Sequence, residues 1–231
     1  MSRGPLAVRF GTPPAVAPKA GTVEQVQVEL ENTGALRRAA GTFVSYHWLD
    51  NRDNPIVWDG IRTDAPALAP GERSTVTVRV RAPIPPGRYR LAFDMVAELR
   101  AWFSELGSAM LAQDVDVVAR PGEPNAVLPG GYERAPDWTE RVRAAHAEGY
   151  GVVAGAIDWP GGLFHRRPGE LDAYTPGPGR IPGFSAPLLA PSVLAGIELE
   201  PLGEVAGLPA FAAPRDEPWI YDGRIVLRRE R

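Results

Sequence analysis

Residues 74–81 alternate without a break: Val76, Val78 and Val80 fall on one side, Thr75, Thr77, Arg79 and Arg81 on the other. A period of two marks a strand with one buried and one wet face, which no helix can satisfy. The pattern returns in Val26, Val28 and Leu30 against Gln25, Gln27 and Glu29. It returns again in Tyr89, Leu91, Phe93 and Met95 against Arg88, Arg90 and Asp94. Turn-forming residues divide the runs at 31–34, 50–55, 69–71 and 85–87, where Asn, Asp, Gly and Pro collect. The expected strands lie near 5–10, 22–30, 41–49, 55–59, 73–82, 87–98, 101–105 and 112–119. Many short strands with no helical period between them imply a sandwich or a barrel.

Two aromatic positions narrow the choice. Trp48 stands on the third strand and Tyr89 at the entry to the sixth, where an immunoglobulin-like antiparallel β-sandwich carries its core Trp and corner Tyr. Residues 1–119 are therefore expected to form such a sandwich. The segments Ser45-Tyr-His-Trp-Leu-Asp50, Val57-Trp-Asp-Gly-Ile-Arg-Thr63, Leu68-Ala-Pro-Gly-Glu72, Pro86-Gly-Arg-Tyr-Arg-Leu-Ala-Phe-Asp94 and Trp102-Phe-Ser-Glu-Leu-Gly107 follow one another in order. Together this stretch, roughly residues 20–118, resembles the β-sandwich accessory domains attached to bacterial glycosyltransferases and methyltransferases of surface-polysaccharide pathways. The resemblance implies a non-catalytic accessory module whose partner is a glycan or a glycan-building enzyme. It brings no catalytic residues with it, and no transferase domain accompanies the sandwich here.

The second half has another character: 15 of the 25 prolines and 16 of the 25 glycines fall after residue 119. Trp138, Trp159 and Trp219 still supply core-sized side chains there. Residues 137–148 read as one helix, with Trp138, Val142 and Ala145 on a common face and Gly149 as its stop. Strands are expected at 150–159 and 192–200. A C-terminal hairpin is expected at 219–227, turning at Asp222–Gly223. Between them, 160–191 reads as a long irregular loop. The fold class is thus mainly β: a sandwich followed by a Gly/Pro-rich α+β extension over 120–231.

Composition removes several functions. The net charge is −3 and the basic residues are scattered, with pairs only at 37–38, 166–167 and 228–229. A phosphate-coating, nucleic-acid-binding surface needs them clustered. With no cysteine, thiolate metal sites and disulfides are impossible. No window approaches 18 uninterrupted apolar residues, and the first residues lack a signal-peptide apolar core. The expectation is a cytoplasmic protein with no membrane span, no cofactor and no metal.

One segment stands out chemically. Trp58 offers a ring for the apolar face of a sugar, Asp59 and Arg62 offer hydrogen bonds to its hydroxyls, and Glu98 and Trp102 lie on a neighbouring part of the chain. The same tryptophans serve equally as core or edge cover, with Asp59 shaping a turn before Gly60. His47, Asp50 and Asp53 carry metal-ligating atoms, but 50–54 is turn composition and Arg52 breaks the alternation of a calcium loop. His146 with Glu148, and Asp158 with His165, are the His–carboxylate pairings open to a hydrolase or transferase reading. His146 is equally a cation at a helix C-terminus. Gly183-Phe-Ser-Ala-Pro187 lacks the last glycine of a nucleophile elbow, and the prolines of 177–183 exclude a phosphate loop. The run 184–197, with Phe184, Leu188, Leu189, Val193 and Leu194, is either a docking patch for a partner or a second copy, or part of its own core.

Overall fold

The computed structural model describes residues 5–38, 41–159, 162–163, 190–205, 208–212 and 214–230. The chain divides into two compact units, Met1–Val118 and Ala119–Arg231. Among the described residues no helix is long and apolar enough to cross a membrane.

In the first unit the strands are β1 (Val8–Phe10), β2 (Val23–Asn32), β3 (Thr42–Leu49), β4 (Pro55–Val57), β5 (Thr63–Asp64), β6 (Arg73–Arg81), β7 (Gly87–Ala97), β8 (Ala101–Trp102) and β9 (Leu111–Val117). They form two antiparallel sheets. One runs β1-β2-β6; the other runs β4-β3-β7-β8, with β5 also paired to β3 and β9 to β7. The alternating residues meet as their period demands: Val26 lies opposite Val78, Val28 opposite Val76, and Leu30 opposite Ser74. Their buried faces, with Val80, pack on Val44, Tyr46, Trp48, Leu91, Phe93, Met95, Val115 and Val117 of the other sheet.

Hydrogen bonds join the two sheets through that core. The Trp48 indole Nε1–H donates to the Arg81 carbonyl at 2.8 Å, and the Arg81 N–H donates to the Tyr46 hydroxyl at 2.8 Å. Large aromatic bodies thus fill the interior while their polar ends find partners, which removes the cost of burying them. The Tyr89 hydroxyl donates to the Pro85 carbonyl, four residues upstream, at 2.7 Å, the corner that the immunoglobulin-like reading anticipates.

In the second unit are β10 (Pro124–Ala126), β11 (Tyr132–Arg134), α1 (Trp138–Glu148), β12 (Val152–Trp159), β13 (Gly162–Leu163), β14 (Ala190–Leu194), β15 (Glu200–Val205), β16 (Leu208–Ala212) and β17 (Trp219–Arg229). The main sheet runs β10-β14-β12-β17-β11, and β15 and β16 pair separately. Trp138 and Val142 of α1 pack on Val153, Ile157, Ile225 and Leu227.

Three expectations change here. The hairpin at 219–227 is a single strand, β17, running parallel to β12. Asp222–Gly223 is not its turn but part of a bulge: Gly155 pairs with Asp222, and the next residue, Ala156, pairs with Val226. Asp222 Oδ1 accepts the Arg224 N–H at 2.9 Å, satisfying a donor the bulge takes out of the ladder. Gly155 admits the bulge, since a Cβ there would lie 2.3 Å from the Ile225 carbonyl oxygen. Second, the strand expected at 192–200 is two strands, broken by a turn in which the Ile197 N–H reaches the Leu194 carbonyl. Third, His146, read as a cation at a helix C-terminus, is a buried imidazole. It is buried with Trp138 and Val142, its Nδ1 2.7 Å from the Tyr150 carbonyl oxygen and its Nε2 3.3 Å from Ser192 Oγ. Burial there pushes its pKa below the ordinary histidine value.

Candidate functional site

The outward face of β3 and β7 is where the sandwich departs from simple alternation. Ser45 and His47 lie on β3 opposite Asp94 and Ala92 of β7. All four point away from the core, yet all four are buried. The segment following β4 and the hairpin made by β7 and β8 cover them. Val57 pairs with Trp48 and carries the chain into Trp58, while Trp102 pairs with Val96.

Trp58 lies almost flat on His47, with ring centroids 4.0 Å apart and planes 19° from parallel. Trp102 meets the same imidazole at 4.6 Å and 62°, and meets Trp58 edge-on at 6.0 Å. His47 is 0% exposed; its Nδ1 contacts the Trp58 carbonyl oxygen. Because a carbonyl only accepts, Nδ1 carries the proton. Nε2 has no hydrogen-bond partner and sits 3.7 Å from Asp94 Oδ2. The Asp94 carboxylate in turn accepts the Met95 N–H at 2.7 Å and the Ser104 N–H at 3.3 Å.

Beside this stack runs a row of charge. Arg62 donates to Asp59 through Nη2 at 2.7 Å and through Nε at 3.3 Å, and its Nη1 pairs with Glu98. The hydrogen bonds it donates to the Asp59 carboxylate raise the pKa of the Arg62 guanidinium above its ordinary value, with Glu98 adding to it. Ser45 Oγ donates to Asp59 Oδ1 at 3.3 Å and anchors the row to β3. Gly60 makes the segment's path possible: its N–H donates to the Tyr46 carbonyl at 3.0 Å, and a Cβ would lie 2.4 Å from the Tyr46 ring.

The five residues singled out in the sequence, Trp58, Asp59, Arg62, Glu98 and Trp102, therefore come together on one surface. Trp58 is 44% exposed: one ring face rests on His47 while much of the indole stays open. The arrangement offers a rigid aromatic plate edged by two carboxylates and a guanidinium. Sequence reasoning did not place Ser45, His47 or Asp94 beneath it. Their signal was weak, because polar residues at the outward positions of a strand read as solvent-facing.

The other candidates do not assemble. Asp50 is spent on its own turn: its carboxylate accepts the Asn54 side-chain amide at 2.9 Å and the Asn54 and Arg52 backbone N–H groups at 2.8 Å, which hold its pKa below the ordinary value. Asp53 pairs with Arg90 at 2.8 Å. With His47 turned into the aromatic stack, these three residues form no metal centre, and no cluster of three metal-ligating side chains exists among the described residues. Phe184, Leu188, Leu189 and His165 lie outside the described residues. Val193 and Leu194 are 6% and 3% exposed in β14, between β10 and β12, so these two side chains present no docking surface.

The first unit is thus a mainly β, immunoglobulin-like sandwich with an aromatic plate on one outer face. No protein-family model matches the sequence, and no curated protein matches it. Among solved structures the chain is similar to the CARDB domain of the PF1109 protein from Pyrococcus furiosus, in complex with di-metal ions. Identity is 17% and the TM-score 0.33, over 50% of this chain and 90% of that one. It is also similar to a β-glucosidase from Listeria innocua, at 18% identity and a TM-score of 0.30, over 48% of this chain and 16% of that one. A third similarity is to the ApaA protein of Bordetella pertussis, at 22% identity and a TM-score of 0.25, over 50% of this chain and 91% of that one.

Proposed function

We propose that the sandwich is a non-catalytic binding module and that its ligand is a glycan, held on Trp58. The observation that carries this reading is the Trp58 ring, backed flat by a buried imidazole and open beside Asp59, Arg62 and Glu98. A sugar ring has an apolar face for the indole and hydroxyls at its rim for carboxylate and guanidinium partners. The backing matters because a plate held in place loses little rotamer freedom on binding.

A panel of immobilised and soluble oligosaccharides, followed by titration of any hit under tryptophan fluorescence, tests the reading. Wild-type protein binds a member of the panel, and Trp58→Ala weakens that binding at least tenfold, about 1.4 kcal/mol, while the circular dichroism spectrum stays unchanged. An empty panel, or a Trp58→Ala variant that binds like wild type, overturns it.

A further inference from the structure

Away from the plate, on the outer face of the other sheet, a cavity of about 630 Å³ opens across β1, β2 and β6. Small-molecule sites run from about 300 to 1,000 Å³. Its floor follows from the strand period. With Val28, Leu30 and Val76 in the core, Glu29, Glu31, Arg73 and Thr75 project from the outer face, and Arg9 joins them from β1. These residues line up across the strands in two rows. In the first, Glu31 stands between Arg9 and Arg73: Arg9 Nη2 donates to Glu31 Oε2 at 2.6 Å, and Arg73 Nε donates to the same oxygen at 2.9 Å. The Arg9 bond, with Arg73 adding to it, holds the Glu31 carboxyl below its ordinary pKa, so it stays charged. In the second row Glu29 stands between Gly11 and Thr75. The Glu29 carboxylate leans over the space a side chain would take at Gly11, its Oε2 2.7 Å from where a Cβ would lie.

The rows differ in sign. Two guanidiniums against one carboxylate leave the first with one net positive charge. Each guanidinium spends one of its five donors on Glu31, and the Arg9 and Arg73 side chains are 62% and 75% exposed, so other donors stay open to a ligand. Glu29 has no ion pair among the described residues, so the second row is negative. Two residues of antiparallel strand set the rows roughly 6.8 Å apart. The cavity is therefore neutral as a whole and dipolar within, and a simple anion or cation meets repulsion from one row along with attraction from the other. We propose that it binds a free amino acid, with the α-carboxylate on Arg9 and Arg73 and the α-ammonium on Glu29. The carboxylate suits the guanidinium fork, and the ammonium brings N–H donors to a group that only accepts. A charged hydrogen bond of about 2.8 Å at each end lets the short dipole of the ligand reach between the rows.

Calorimetric titration of the full chain with each of the standard L-amino acids tests this, together with the N-acetylated and C-amidated forms of any that binds. At least one free amino acid gives a saturable heat. Acetylation removes the cation and amidation the carboxylate, so each blocked form binds at least about tenfold more weakly. Glu29→Gln and Arg73→Gln, both at exposed positions, keep the wild-type circular dichroism spectrum, and each loses at least about fivefold in affinity. A panel without a saturable heat overturns the proposal. So does a blocked form that binds as well as its parent, or an unchanged affinity in either variant. The blocked forms are read on wild-type protein, so they decide the matter even where a variant fails to fold.

Discussion

Replacing Gly60 with alanine tests whether the plate and the core are one mechanical unit. The added Cβ falls 2.4–2.6 Å from three atoms of the Tyr46 ring, well inside van der Waals distance. Tyr46 has no room to retreat: it is 1% exposed, its ring meets Trp48 at 6.5 Å edge-on, and its hydroxyl accepts the Arg81 N–H. The 58–62 segment must therefore move instead, and the hydrogen bond from the Gly60 N–H to the Tyr46 carbonyl is the first to break. Overpacking of this kind costs about 1–3 kcal/mol, and the broken backbone bond about 1 kcal/mol more. For a unit of this size the combined cost lowers the melting temperature by roughly 8–20 °C. Because Trp58, Asp59 and Arg62 ride on the same segment, near-ultraviolet circular dichroism from the Trp58–Trp102 pair changes as well. Differential scanning calorimetry and the near-ultraviolet spectrum of Gly60→Ala read both effects. A variant within about 1 °C of wild type with an unchanged spectrum refutes the claim that the segment is pinned against Tyr46.

Two further outcomes follow from single hydrogen bonds and from burial. Tyr89→Phe removes the bond to the Pro85 carbonyl and destabilises the sandwich by about 0.5–1.5 kcal/mol, read as a lower midpoint in urea with an unchanged slope. For the second unit, the pKa of folded His146 lies below that of the unfolded chain, so the unfolded state binds the proton first as pH falls. Stability is then fully present above the ordinary histidine value and is lost as pH drops through it toward the folded value. The melting temperature of the second unit falls between about pH 7.5 and pH 5.5, and His146→Asn flattens that fall; an equal slope in the variant refutes the assignment.

The sandwich was legible because its information is local and periodic. Val76, Val78 and Val80 fix which face of β6 is buried, and a one-residue slip would turn all three to solvent. Turn residues then mark where each strand ends. Pairings between distant segments were not legible. The residues Asp222 and Gly223 carry the local signature of a tight turn, but β12 lies alongside and offers its parallel edge, and Gly155 leaves space for the excess residues. The tertiary partner overrides the turn propensity, and nothing within 219–227 reveals that partner. The same holds for His146, whose helix-end position suggested a charge until Tyr150 and Ser192 supplied a buried seat.

The candidate site shows the same division within a few residues. Trp58, Asp59 and Arg62 were visible because they crowd into one short segment, and Glu98 and Trp102 because they flank one hairpin. What makes them a site lies beneath. Ser45, His47 and Asp94 are polar side chains on the outer face of a sheet, and that face needs cover if they are to be buried at all. Trp58 and Trp102 provide it, His47 in return holds Trp58 flat, and Ser45 steadies Asp59. Core cover and the proposed binding plate, which compete as explanations when the sequence is read alone, are compatible: one face of the indole covers His47 and the other stays open. If Trp58 holds a glycan as proposed, a substitution beneath the plate such as His47→Ala weakens that binding in the fluorescence titration without touching any atom the glycan meets.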